Sequence, residues 1–275
     1  MQTVKAASYG SFISSLLIRP ERMRAAAFAI QAFHAETAAV ASKTSDPSIA
    51  SLRLEFWKSV IPPTRGDSAT TAPPLNHPVA KELFQAKLSG ISISHSWLSR
   101  IVAERQKQVS SGVAFASLDD VFRAAEGTHS ALNYCMLEAL GFKDVQADHA
   151  GSHLGKAAGV VSLLQAIPEQ LPKRQFSLPS QLMAKHNVST EQAFKDPACL
   201  KEIVFDVASG AYSQYLAAKQ IKLPKDAWMA LAPCAVPTKC YLDLLQLCDF
   251  NLFDSRLQQR NWRVFPVLWK TYRAS

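Results

Sequence analysis

The sequence predicts an all-α fold, a single-domain helical bundle over residues 1–275. Three observations predict it. The chain holds only 10 Gly, about half the usual frequency, so the turns of a β-rich fold are scarce. Hydrophobic residues make up 48%, with many alanines, the strongest helix former. Apolar residues recur at steps of three and four, and no strand alternation of useful length is present. A chain of this length can bury a large core.

The elements follow in order. Phe12, Ile13, Leu16 and Leu17 mark one face of a helix over Tyr9–Ile18. Pro20 suits the first turn of a second helix running to about Ser42. Asp46-Pro47 opens a third, with Leu52, Phe56 and Val60 at four-residue steps. The stretch 62–78 carries five Pro, a Gly and many Ser/Thr, and reads as a flexible loop. Helices follow over Val79–Leu88 and Ser94–Val109. Ser117-Leu-Asp-Asp120 caps a long helix that stops at Gly141. Another runs from about Gln146 to Ala166, where Pro168 should end it. A basic loop, a minor turn at Ser189, a long helix over Cys199–Gln220 and two or three final helices complete the chain.

The balance of 30 Lys+Arg against 22 Asp+Glu gives +8 and favours anionic partners. Nothing shows the basic blocks, zinc spacing or RNA-binding signature of a nucleic-acid reader. Five Cys without short paired spacing read as buried thiols, not a disulfide framework. No apolar run reaches the roughly 20 residues of a membrane span. The first residues are not a secretory signal. Their basic, acid-poor bias resembles a transit peptide, although they also read as the first helices of the fold.

The segments SYGSFISSLLIRPERMRAAAFAIQAFHAE, RLEFWKSVI, HPVAKEL, AEGTHSALNYCMLEALG and GKAAGVVSLLQAIPEQLPKRQFSLP occur in this order. Together they resemble the squalene/phytoene synthase family across nearly the whole chain. The resemblance implies a prenyl-transfer fold in which two helices each present an Asp-rich motif. Facing carboxylates hold Mg²⁺, and the metal holds the substrate diphosphate. Here the first window, Ala38-Ala39-Val40-Ala41-Ser42, has no carboxylate. The second, Ser162 to Gln170, has Glu169 alone.

A narrower similarity lies in ADHAGSHLGKAAGVV, EIVFDVASGAYSQYL and CDFNLFDSRLQQRN. These resemble the mitochondrial NADH:ubiquinone oxidoreductase (complex I) assembly factor 6 family. That resemblance implies a non-catalytic assembly factor, a pseudoenzyme that has lost its Mg-binding motifs, on the matrix side of the inner membrane. Its partners would be complex I subunits or other assembly factors, with peripheral contact to inner-membrane lipid. The alternatives are a prenyl-diphosphate transferase with diverged metal ligands and a lipid-binding module.

No residues read as catalytic, and no set reads as holding a metal or cofactor. Ser14, Ser15 and Ser130 lack base partners for a hydrolase triad. Glu36, with Gln31 and His34, interrupts an apolar helix and is expected to line the former active-site cavity. His149 and His153, four apart on one helix face, are candidates for the same lining, as is Glu169. A shared metal is the sharper reading of the two His, but Ala150 stands where a zinc hydrolase has Glu. By the resemblance Lys173-Arg174 would lie near the diphosphate region and could bind a phosphate-bearing lipid; an exposed loop is the plainer reading. Residues 251–275 carry a net +4 interleaved with aromatics. Arg260, Trp262, Arg263 and Trp269 are therefore candidate membrane or partner contacts. A terminal helix packing its aromatics on the core is the plainer reading.

Overall fold

The computed structural model describes residues 1–44, 46–62, 77–112, 114–175 and 177–274. Nearly all of the expected loop at 62–78 lies outside the described residues. Within them the chain is helical and no strand occurs.

The N-terminal half comprises α1 (Gln2–Ala7), α2 (Tyr9–Ser15), α3 (Glu21–Ser42), α4 (Pro47–Val60), α5 (Pro78–Leu88) and α6 (His95–Ser111). Local chemistry sets their starts. The Asp46 carboxylate accepts from the Ser48 and Ile49 amides, and Pro47 occupies the first turn of α4. Ser94 precedes α6, but its hydroxyl bonds Ser96 Oγ at 2.7 Å and does not cap. These helices share one core with α8 (Ala131–Ala139). In it Phe33, fully buried, meets Trp57 edge-on at 5.6 Å.

Before α8 come α7 (Leu118–Ala125) and a π-helical turn, Glu126–Ser130. The Ser117/Asp120 capping box opens α7 as the sequence predicts. The π turn inserts one extra residue into what the sequence reads as one even helix, and it reorients Thr128 and His129.

The second half is built on α9 (Val145–Gln170). After it come α10 (Ser180–Lys185), α11 (Thr190–Lys195), α12 (Lys201–Gln220), α13 (Lys225–Leu247), α14 (Ser255–Gln258) and α15 (Val264–Ala274). Pro168 does not stop α9, contrary to expectation. It falls in the last turn, where its missing N–H costs one ladder bond only. Pro233 and Pro237 likewise lie inside α13. Val264 and Leu268 dock α15 on α13 and α2.

Candidate functional site

Between the two halves lies an open central cavity of about 1330 Å³. Its walls come from α2, α3, α6, α7 with the π turn, α9, α13 and residues 257–264. The former-motif windows face it: Ala38, Ala41 and Ser42 from α3, and Ser162, Ala166, Glu169 and Gln170 from α9. Among the described lining residues Glu169 is the single carboxylate, against the basic Lys43, Arg105, Lys173 and Arg260.

A cluster of three titratable groups stands in the wall. His34 on α3 and His129 on the π turn meet edge-on, ring centroids 4.8 Å apart. Arg105 on α6 lies close enough that its charge acts on both imidazoles. His129 shares hydrogen bonds with Ser162 Oγ at 2.9 Å and Thr128 Oγ1 at 3.1 Å. Burial, and then the Arg105 charge, hold His129 at about 3. Burial, then His129, then Arg105 hold His34 well below its ordinary range. Both rings are neutral at physiological pH.

Arg105 is pulled down to about 10 by burial, with Glu104 acting in the opposite direction, so it keeps its charge. Its Nη1 donates to Gln108 Oε1 at 3.3 Å. Its Nε and His34 Nε2 are sealed from solvent without a hydrogen-bond partner. No carboxylate lies within ion-pair distance of Arg105 among the described residues.

The structure separates the residues the sequence grouped. Glu169 reaches the cavity. Glu36 is not among the lining residues: two residues past His34, it pairs Lys43 at the rim at 3.8 Å and accepts from Thr3 at 3.5 Å. Gln31 is buried, donating to Ser15 Oγ at 2.8 Å. His149 and His153 are also outside the cavity, on the outer face of α9. Their Nε2 atoms lie 3.1 Å apart, and His153 Nδ1 bonds Gln214 Oε1 at 2.6 Å. No group of three or more His, Cys, Asp or Glu is placed to hold a metal among the described residues.

Lys173 lines the cavity, whereas Arg174 pairs with Glu191 at 2.7 Å. Arg260 lines the rim and stacks on Tyr9 at 5.4 Å. Trp262 packs on Tyr9 and Phe265 yet stays 66% exposed, and Trp269 is 58% exposed. Arg263 is exposed beside them. Val264 and Leu268 face the core, whereas Phe265 and Trp269 do not.

Sequence reasoning missed Arg105 and His129. It also missed Glu126, whose carboxylate accepts from Tyr134 at 2.5 Å and Ser152 at 2.7 Å outside the cavity.

The family model for squalene/phytoene synthase matches residues 4–269. Among solved structures, a dehydrosqualene synthase in complex with ligand superposes with a TM-score of 0.78 at 15% identity, covering 99% of this chain and 94% of that one. A squalene synthase from Alicyclobacillus acidocaldarius gives 0.71 at 10% identity, covering 91% and 92%. These two show the shared fold. Curated relatives carry the name NADH dehydrogenase (ubiquinone) complex I, assembly factor 6. The Rattus norvegicus protein is 34% identical over 95% of this chain and 77% of its own length. The Homo sapiens protein is 32% identical over the same shares, and a Drosophila melanogaster homolog is 31% identical over 92% and 76%. By family model, fold and similarity over 95% of its residues, the chain belongs to the squalene/phytoene synthase family, in the branch of the complex I assembly factor 6 proteins.

Proposed function

We propose that this protein acts in the assembly of mitochondrial respiratory complex I and does so without catalysing prenyl transfer. It is a helical scaffold that binds complex I subunits or other assembly factors. One observation carries the non-catalytic part: the lining of the cavity. Mg²⁺ requires several hard anionic oxygens in near-octahedral array. The lining offers Glu169, with Ala, Ser and Gln at the neighbouring positions of both windows. That donor set does not fit the metal cluster the fold implies, so no step runs through one. The assembly role is supported by the names of relatives matched along nearly the whole chain.

The working place we infer is the matrix side of the inner membrane, held peripherally. The exposed aromatic and basic side chains around α15 suit a headgroup layer. No described helix is long and apolar enough to cross a membrane.

Two measurements test the function. Cells lacking the protein should show loss of assembled complex I on native gels, restored by the wild-type gene; normal complex I levels would contradict the assembly role. The purified protein, incubated with Mg²⁺ and farnesyl or geranylgeranyl diphosphate, should give no product. Detectable head-to-head product would overturn the non-catalytic reading.

A further inference from the structure

The cavity is too large to be a packing defect. Small-molecule sites run to roughly 300–1,000 Å³, and this one is about 1330 Å³. Beside its polar cluster the lining carries apolar side chains, Val109, Val121, Leu132, Val161 and Leu244 among them, interspersed with Ser, Thr and Gln. A half-buried guanidinium without a carboxylate partner leaves a fixed positive charge in the cavity wall. Here Arg105 leaves its Nε unpaired, and His34 Nε2 beside it is unpaired too. Both orphans belong to residues that line the same space. Glu104 is the acid whose charge Arg105 feels, and among the described residues no carboxylate lies within ion-pair distance of Arg105. The unpaired Nε and Nε2 atoms are turned into the wall, so an anion entering the cavity would meet the Arg105 charge through the Nη side of the guanidinium.

The charge of that anion follows from the neighbours. His34 and His129 are neutral, so the deep part of the site holds one positive charge. Lys43, Lys173 and Arg260, which also line the cavity, are exposed or paired at its rim. One fixed charge matches a monoanion, and a planar fork matches a carboxylate.

We propose that the cavity binds a long-chain carboxylate without metal, its headgroup on Arg105 and its hydrocarbon chain along the apolar side chains of the lining. This deepens the non-catalytic reading and rests on it in one respect, that no metal-held diphosphate occupies the same space. Failure of that reading would appear as product from a prenyl diphosphate with Mg²⁺. Failure of the present one appears in a binding isotherm.

The test uses the full chain, stripped of lipid and kept in EDTA. A fluorescent fatty acid is displaced by palmitate, by hexadecanol and by hexadecyl phosphate. Palmitate should displace it saturably, one per chain, and about tenfold or more tighter than hexadecanol. Arg105→Gln should lose about tenfold in palmitate affinity while hexadecanol is unchanged, and Arg105→Lys should fall between. Palmitate binding no tighter than hexadecanol would overturn the proposal. So would equal palmitate binding by Arg105→Gln, or displacement by hexadecyl phosphate alone. Should Arg105→Gln fail to fold, the palmitate-to-hexadecanol ratio of the native chain and of Arg105→Lys decides.

Discussion

At His129, burial and the Arg105 charge together keep the proton off the ring. The consequence for stability has a definite sign. The folded state holds this group at about 3, whereas the unfolded chain titrates it near the ordinary value of about 6.5. Between those values the unfolded state binds the extra proton, so stability falls as pH falls. The slope is about 1.4 kcal/mol per pH unit, or about 2 kcal/mol by pH 5. His34 is shifted in the same direction and adds to the loss. Urea midpoints should therefore drop between pH 7 and pH 5 in the wild type, and drop clearly less in His34→Gln/His129→Gln. An identical drop in both proteins would remove the histidines as its source. His34 was legible in the sequence because it breaks an apolar helix. Arg105 was not: among Glu104, Gln106, Lys107 and Gln108 it looks like part of a solvated face. His129 was hidden because the π turn that aims it has no simple sequence signal. Glu36 misled because two residues along an α-helix is a rotation of about 200°, which takes it out of the cavity lining.

Helix α13 shows how an element survives two internal prolines. Pro237 has no N–H, so the Pro233 carbonyl loses its helical donor. The Ser11 hydroxyl of α2 supplies it instead, donating to Pro233 O at 2.7 Å. Close approach is possible because residue 10 is Gly; a Cβ there would lie 2.9 Å from Pro237 Cβ. The sequence shows each proline but not the neighbouring helix that repairs the ladder. Starts of helices were easier to read, because capping is local: the Ser117/Asp120 box and the Asp46 cap both occur as expected. Ser11→Ala should cost about 1 kcal/mol by leaving a part-buried carbonyl without its donor. Gly10→Ala should cost a similar amount, since the proline ring opposite is stiff. Ser59→Ala, which removes an exposed bond to Phe56 O, should stay within about 0.5 kcal/mol. Denaturant midpoints at constant slope measure all three, and a harmless Ser11→Ala would mean that α13 does not depend on α2.

Across the whole molecule, the basic rim of the cavity and the aromatic patch meet: Lys43, Lys173 and Arg260 all line the cavity. Arg260, Asn261 and Val264 line the cavity, and the aromatic patch of Tyr9, Trp262 and Phe265 begins at the same residues. The patch is held in place: Asn261 Nδ2 donates to Cys240 O at 3.0 Å, and Arg260 rests on Tyr9. The sequence revealed its composition but not its orientation. Aromatics at a terminal helix usually pack inward, and only the docking of Val264 and Leu268 turns Trp262 and Trp269 outward. A protein seated on lipid through this patch would turn the cavity rim toward the bilayer, the source of long-chain carboxylates. The full chain should then float with vesicles containing anionic lipid and much less with neutral ones. Binding should weaken as salt rises, because each surface cation contributes about 1 kcal/mol through a screened field. Trp262→Ala/Trp269→Ala should lower vesicle affinity by about tenfold while leaving palmitate displacement in EDTA unchanged, since neither Trp touches Arg105 or the apolar side chains of the lining. Equal flotation of the double variant would detach the patch from the membrane. Loss of both activities together would mean that the patch and the cavity form a single unit.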